Sequence, residues 1–237
     1  MRKFLKVPYG SHTIVVEIIR RRRSTLEIAV EPDTRVVATA PLGASREKIA
    51  EKIRKRGAWV LRQQRFFMQY LPRKPQRKYV PGETHLYLGR PYRLRVRAHT
   101  QEAVRLVHGF LIVHSRRPKQ PAAVRKQVVA WYRDRAIARL SDRLEACLAR
   151  FGDMKAFRPR AMIVRQMRQR WGSMSPSGRL MLNTRLVEAP IDAIDYVITH
   201  ELCHIAQPHH GARFFNLLRQ VMPDWERRKV RLERILA

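Results

Sequence analysis

The chain has 237 residues, and 50 Lys and Arg against 19 Asp and Glu give it a formal charge of +31 at pH 7. Its apolar content of 45% is that of a folded protein and excludes disorder throughout, and the length allows one large domain or two small ones. So large a positive field draws polyanions, nucleic acid above all, but speaks to partners and not to chemistry.

Residues 13–19, 25–31 and 34–40 read as short strands from their β-branched and apolar runs, with Pro32-Asp33 turning between the last two. The first run is too short to cross a bilayer and Glu17 interrupts it, and residues 1–10 carry no apolar stretch of signal-peptide length. A cytoplasmic protein with no membrane insertion is therefore expected. Arg20-Arg21-Arg22-Arg23 reads as a solvated charge run, with phosphate contact as the alternative. Beyond Pro41, Ser45 can cap a helix with Glu47 in its first turn, where the helix dipole favours an anion. That helix is expected to run through Ile49, Ile53, Trp59, Val60, Phe66, Phe67 and Tyr70. Its interleaved Lys and Arg leave two readings, a buried aromatic stripe or a surface that lies on nucleic acid.

The Pro-rich basic stretch 71–78 reads as a linker. Residues 85–88 with 92–97, then 104–107 with 110–113, form two expected hairpins turning near Gly89 and at His108-Gly109. His85, His99, His108 and His114 share no ligand spacing and read as ordinary imidazoles. The stretch 115–121 is taken as the boundary between an N-terminal β-rich region with one basic helix, 1–118, and a C-terminal domain, 119–237. Val124, Val128, Trp131, Tyr132, Ala136, Leu140, Leu144, Cys147 and Leu148 then recur every three or four residues, one long amphipathic helix that Gly152 is placed to end.

Strands over 162–167 and 179–183 flank Arg170-Trp171-Gly172-Ser173. A helix is expected from about Pro190 to Ala206 or Gln207, because Pro208 cannot continue it. Ile191, Ile194, Ile198, Leu202 and Ile205 form one stripe of that helix, and His200 and His204 fall almost opposite. Residues 212–222 carry Phe214, Phe215, Leu218 and Val221 on one side of a further helix, and a charged tail helix follows Pro223. No internal repeat is visible. Cys147 and Cys203 fit neither zinc-knuckle spacing nor a disulfide framework, so both are expected as buried free thiols.

The chemistry concentrates in His200-Glu201-Leu202-Cys203-His204. Four residues apart on a helix, the two imidazoles can aim at one cation, with Glu201 beside it as general base on a metal-bound water. His209 and His210 are both placed to supply a third ligand after the turn. The spacing from His204 to His210 matches the metzincin pattern, but Gln207 stands where that pattern has glycine.

As a set, Arg170-Trp171-Gly172-Ser173, the stretch 182–187, Ala189-Pro190, the approach 194–197, the His-Glu-x-x-His run, His210 and Phe214-Phe215 resemble the YgjP-like metallopeptidase family, a relative of the SprT and WLM zinc proteases. Met174 and Phe215 depart from the Cys and Trp usual there. The resemblance implies an α+β fold with a zincin-like C-terminal domain, a small antiparallel sheet plus the metal-site helix. It also implies Zn²⁺ held by His200, His204 and His210, with Glu201 as catalytic base.

The expected function is zinc-dependent hydrolysis of a peptide or protein. The 170–173 segment would align the substrate as an added strand, and Arg185 or Tyr196 would stabilise the oxyanion. Two alternatives remain open: nucleotide phosphohydrolysis at the same site, and a basic nucleic-acid-associated protein with a structural zinc.

Overall fold

The computed structural model of the protein describes residues 3–31, 33–68, 77–167 and 170–236. Most of the expected linker, Tyr70 at the end of the expected basic helix, and Pro32 of the expected turn lie outside the described residues. The chain forms two compact units, Met1–Lys74 and Pro75–Leu236. Among the described residues no helix is long and apolar enough to cross a membrane.

The first unit holds β1 (Lys3–Tyr9), β2 (His12–Arg21), β3 (Glu27–Val30) and β4 (Val36–Pro41) in the order β1-β2-β4-β3. The outer pairs are antiparallel and the central β2–β4 pair is parallel. Period-two burial of Ile14, Val16 and Ile18 turns one face of β2 into a core. Ser45 caps α1 (Arg46–Lys55) by accepting from the Lys48 N–H, and Ile49 and Ile53 enter the same core. The single helix expected beyond Ser45 is two. The chain turns at Arg56, and α2 (Gly57–Met68) begins at a residue whose missing side chain lets its backbone lie against the Tyr9 ring. Of the four consecutive arginines, Arg20 donates to the carbonyls of Pro41 and Leu42 and Arg23 pairs with Glu27, while Arg21 and Arg22 are exposed.

The second unit begins with β5 (Thr84–Tyr87), β6 (Arg90–Ala98), β7 (Ala103–Val107) and β8 (Phe110–Ser115) in the order β5-β6-β8-β7. Its hairpins turn at Leu88-Gly89 and His108-Gly109 with φ of 49°, 79°, 42° and 81°, the left-handed pairs a tight two-residue turn requires. The long α3 (Pro121–Leu148) packs Val124, Val128 and Trp131 into one core with Leu94, Leu111 and Val113 of the sheet. Strands 84–115 therefore belong with the C-terminal residues, and the division between units falls near residue 74 instead of 118. The segment 116–120 is a short sheet-to-helix connection. The pairing scheme, antiparallel then parallel then antiparallel followed by a helix, is that of the first unit. The fold thus repeats a topology that no sequence repeat announces.

Next come β9 (Ala161–Arg165), β10 (Gly172–Met174) and β11 (Arg179–Asn183) in the order β10-β11-β9. This sheet is mixed, not antiparallel as expected: β10–β11 is a hairpin, but β11 returns alongside β9 and runs parallel to it. A 3-10 turn (Thr184–Glu188) leads into α4 (Ile191–Ala206), then α5 (Ala212–Val221) and α6 (Trp225–Leu236). The expected α4 stripe holds at Ile194, Ile198 and Leu202, all fully buried. Ile191 is exposed at the first turn, and Asp195, Tyr196, Val197 and Glu201 are buried as well, because α3, α5, α6 and β10 all pack around the helix.

A buried carboxylate fixes α4 in place. Asp195, 3% exposed, accepts from Arg143 Nε and Nη2, both at 2.8 Å, and from Arg150 Nη2 at 2.7 Å, with Arg228 of α6 3.8 Å away. Removing the charge leaves these partly exposed guanidiniums facing a neutral group and weakens charge-assisted hydrogen bonds, which typically costs ~1.5–3 kcal/mol. Asp195→Asn should therefore lower the midpoint of urea unfolding by that equivalent. A midpoint equal to the parent's would show that the ion cluster does not hold the helix.

Candidate metal centre

Three imidazoles meet at the end of α4. His200 and His204 lie one turn apart with ring centroids 5.1 Å from each other, and His210, on the turn before α5, has its ring 5.0 Å from the first and 4.6 Å from the second. One ligand atom from each can be chosen so that all lie within 4.8 Å of one another. The Nε2 atoms of His200 and His210 are 3.0 Å apart, near the roughly 3.4 Å between two nitrogens on a tetrahedral ion at ~2.0–2.1 Å. The donor set fits a divalent cation. His209 is exposed and is not in the cluster. Gln207 needs no glycine conformation, since its φ is −132°.

Packing supports these rings from behind. Phe214, fully buried at the start of α5, has its ring centroid 4.9, 4.6 and 4.7 Å from those of His200, His204 and His210. His204 Nδ1 lies 3.0 Å from the carbonyl of Gln207, which as a donor contact fixes the tautomer that leaves Nε2 with a free lone pair. Burial, then the neighbouring His210 and His204, lowers the His200 pKa to about 3, and burial lowers that of His210 too. Both rings are held in the neutral form that coordinates metal.

Glu201 is 7% exposed and lies against β10. A Cβ on Gly172 would sit 2.7 Å from Glu201 Cγ and 2.9 Å from Oε1, so any larger residue there would displace the carboxylate. Burial pushes the Glu201 carboxyl up to about 7, against the Met174 backbone N–H that donates to it and the charge of Arg170. Trp171 accepts from the Asn183 N–H on the β11 side, so by alternation the backbone of Gly172 faces the free edge of the sheet. Ser173 pairs across from Met181.

The remaining expected site residues spread around this edge. Arg170 and Arg185 are exposed, and the Arg185 guanidinium lies 5.5 Å from the Trp171 ring centroid. Tyr196 is buried one turn before His200, its ring 5.8 Å from the imidazole and stacked on Trp225, and burial raises its pKa so that the phenol stays protonated. Sequence reasoning gave no site role to three further residues, although Asn183 and Phe214 lie in stretches that carry the family resemblance. Asn183 Nδ2 donates to the carbonyls of Met167 and Arg170, both at 2.9 Å, and its Oδ1 accepts from the Arg185 N–H, pinning the approach to β10. Phe214 was legible only as core. Glu233 of the tail helix is half-buried, with Oε2 lacking a partner among the described residues and burial pushing its pKa up to about 7.

The model of the YgjP-like family, described as a metallopeptidase domain, matches residues 24–235. No curated protein matches the chain significantly. Two solved structures are similar over 41% of it: the metallopeptidase zymogen of Pyrococcus abyssi abylysin, at 18% identity with 94% of that chain covered and a TM-score of 0.36, and that of Methanocaldococcus jannaschii jannalysin, at 24%, 90% and 0.35.

The convergence of the three rings is checked by metal content. Elemental analysis should find one divalent ion per parent chain, and His204→Ala should bind it more weakly by more than the ~10–100-fold typical of losing an outer-shell partner. Equal occupancy in both proteins would place the ion elsewhere.

Proposed function

Because the chain belongs to the YgjP-like metallopeptidase family, we propose that it is a zinc-dependent peptidase in which His200, His204 and His210 hold the ion and Glu201 is the general base. The observation that carries this reading is the meeting of three imidazoles next to a buried carboxylate at an open strand edge. Zn²⁺ held by these residues would lower the pKa of water toward ~7 and polarise a carbonyl. Glu201 takes the proton of the attacking water and returns it to the leaving amine; its burial raises its basicity for this task. The free edge of β10 binds the substrate as an added strand through Gly172, with Trp171 and Ser173 flanking and Arg170 beside the carboxylate. Tyr196, a protonated donor, and Arg185 are the groups available to a developing oxyanion.

Glu201→Gln is nearly isosteric. It should keep the bound ion while lowering turnover of a casein panel by about 10²–10⁴-fold. Gly172→Ala should act in the same direction with the ion retained, by displacing the carboxylate. A Glu201→Gln enzyme as fast as the parent would remove the base. Turnover of nucleoside triphosphates in place of casein, abolished by chelator, would reassign the bond to phosphoryl chemistry.

A further inference from the structure

The outer face of α3 borders a cavity of about 810 Å³ that contains none of the metal-centre residues. Besides Arg77, its cationic lining is Lys78, Arg125, Lys126 and Arg133, all four exposed, with Asp134 the one acid among the described lining residues. None of these four cations has a carboxylate within 4.0 Å among the described residues. Other arginines of this unit are engaged: Arg143 and Arg150 on Asp195, and Arg77, at the cavity wall, on Glu188. Between the cations lies an apolar floor that includes Tyr79 and Val129, the latter 44% exposed.

We propose that this groove binds single-stranded nucleic acid, independently of the peptidase reading. Arg125 and Arg133 are eight residues apart on one face of the helix, about 12 Å at ~1.5 Å per residue. That spans three to four phosphates of a stacked strand at ~3.4 Å each. The apolar floor with its aromatic edge meets base and sugar faces, which a single strand exposes and a duplex hides. The excess of 50 basic over 19 acidic residues supplies the long-range field that gathers such a polyanion. An acidic peptide would also meet the cations, but it offers no flat π-face to the floor.

The test is fluorescence anisotropy of a labelled fifteen-nucleotide oligothymidylate with the full chain over a series of salt concentrations. The variant Arg125→Ala/Lys126→Ala/Arg133→Ala changes only exposed positions of a helix and is checked by thermal melting. Each phosphate contact contributes ~0.7 to the log–log salt slope for a single strand, so this variant should lose about 2 units of slope and at least tenfold in affinity. A control removing equal charge from the other unit, Arg21→Ala/Arg22→Ala/Arg54→Ala, should lose less than twofold. Val129→Glu, which puts an anion on the floor, should weaken binding at least fivefold with the fold intact. Equal losses in the groove and control variants would overturn the proposal in favour of diffuse surface charge. Equal affinity for a duplex of the same length, or for polyglutamate of the same charge, would overturn the assignment to a single strand.

Discussion

The Asp195 carboxylate fixes the register on which the three-histidine cluster depends. Apolar helix faces tolerate small slides and rotations, since hydrophobic contacts carry little directional information. Charge-assisted hydrogen bonds to Arg143 and Arg150 of α3, with Arg228 of α6 close by, do carry it. A rotation by one residue turns a helix by ~100° and would swing both imidazoles and Glu201 away from their partners. The ion cluster lies five residues before His200 on the same helix, so the clamp and the site share one rigid element.

Around that element, burial sets the chemistry. Phe214 packs against all three imidazole rings, and the burial there favours the neutral form of His200 and His210. Burial also raises Glu201 toward the range where a carboxylate can both take and give a proton near neutrality. Gly172 makes room for the carboxylate under β10, and Asn183 holds the preceding loop by two carbonyls. A strand edge and a buried carboxylate are thereby brought within one side chain of each other.

The two units use the same four-strand pairing scheme, each followed by a helix, yet the helices have different tasks. In the first unit α1 covers its sheet with Ile49 and Ile53. In the second, α3 is 28 residues long and contacts the sheet, the 3-10 turn and α4 along its length. One side of α3 is therefore committed to a core, while its outer side keeps Arg125, Lys126 and Arg133, which have no carboxylate partner among the described residues.

Much was legible from residue order alone. The 3.6-residue period of α3 predicted every buried position later found on it from Val124 to Leu148, and Pro190 and Pro208 bracketed α4, because these signals act within one element. The His-Glu-x-x-His spacing placed two imidazoles together for the same reason: a helix converts a separation of four into proximity. What residue order could not decide was anything requiring two elements to meet. The boundary near residue 74 followed from strands 84–115 sharing a core with α3, the parallel β9–β11 pairing from where a hairpin happened to dock, and the meeting of the His210 ring with the two α4 imidazoles from how the turn after α4 closes. Phe214 and Asn183 looked like ordinary core and strand-end residues. Their contacts with the site exist only because α5 and β11 pack against the segments that carry it, and packing between distant segments leaves no periodic trace in a chain.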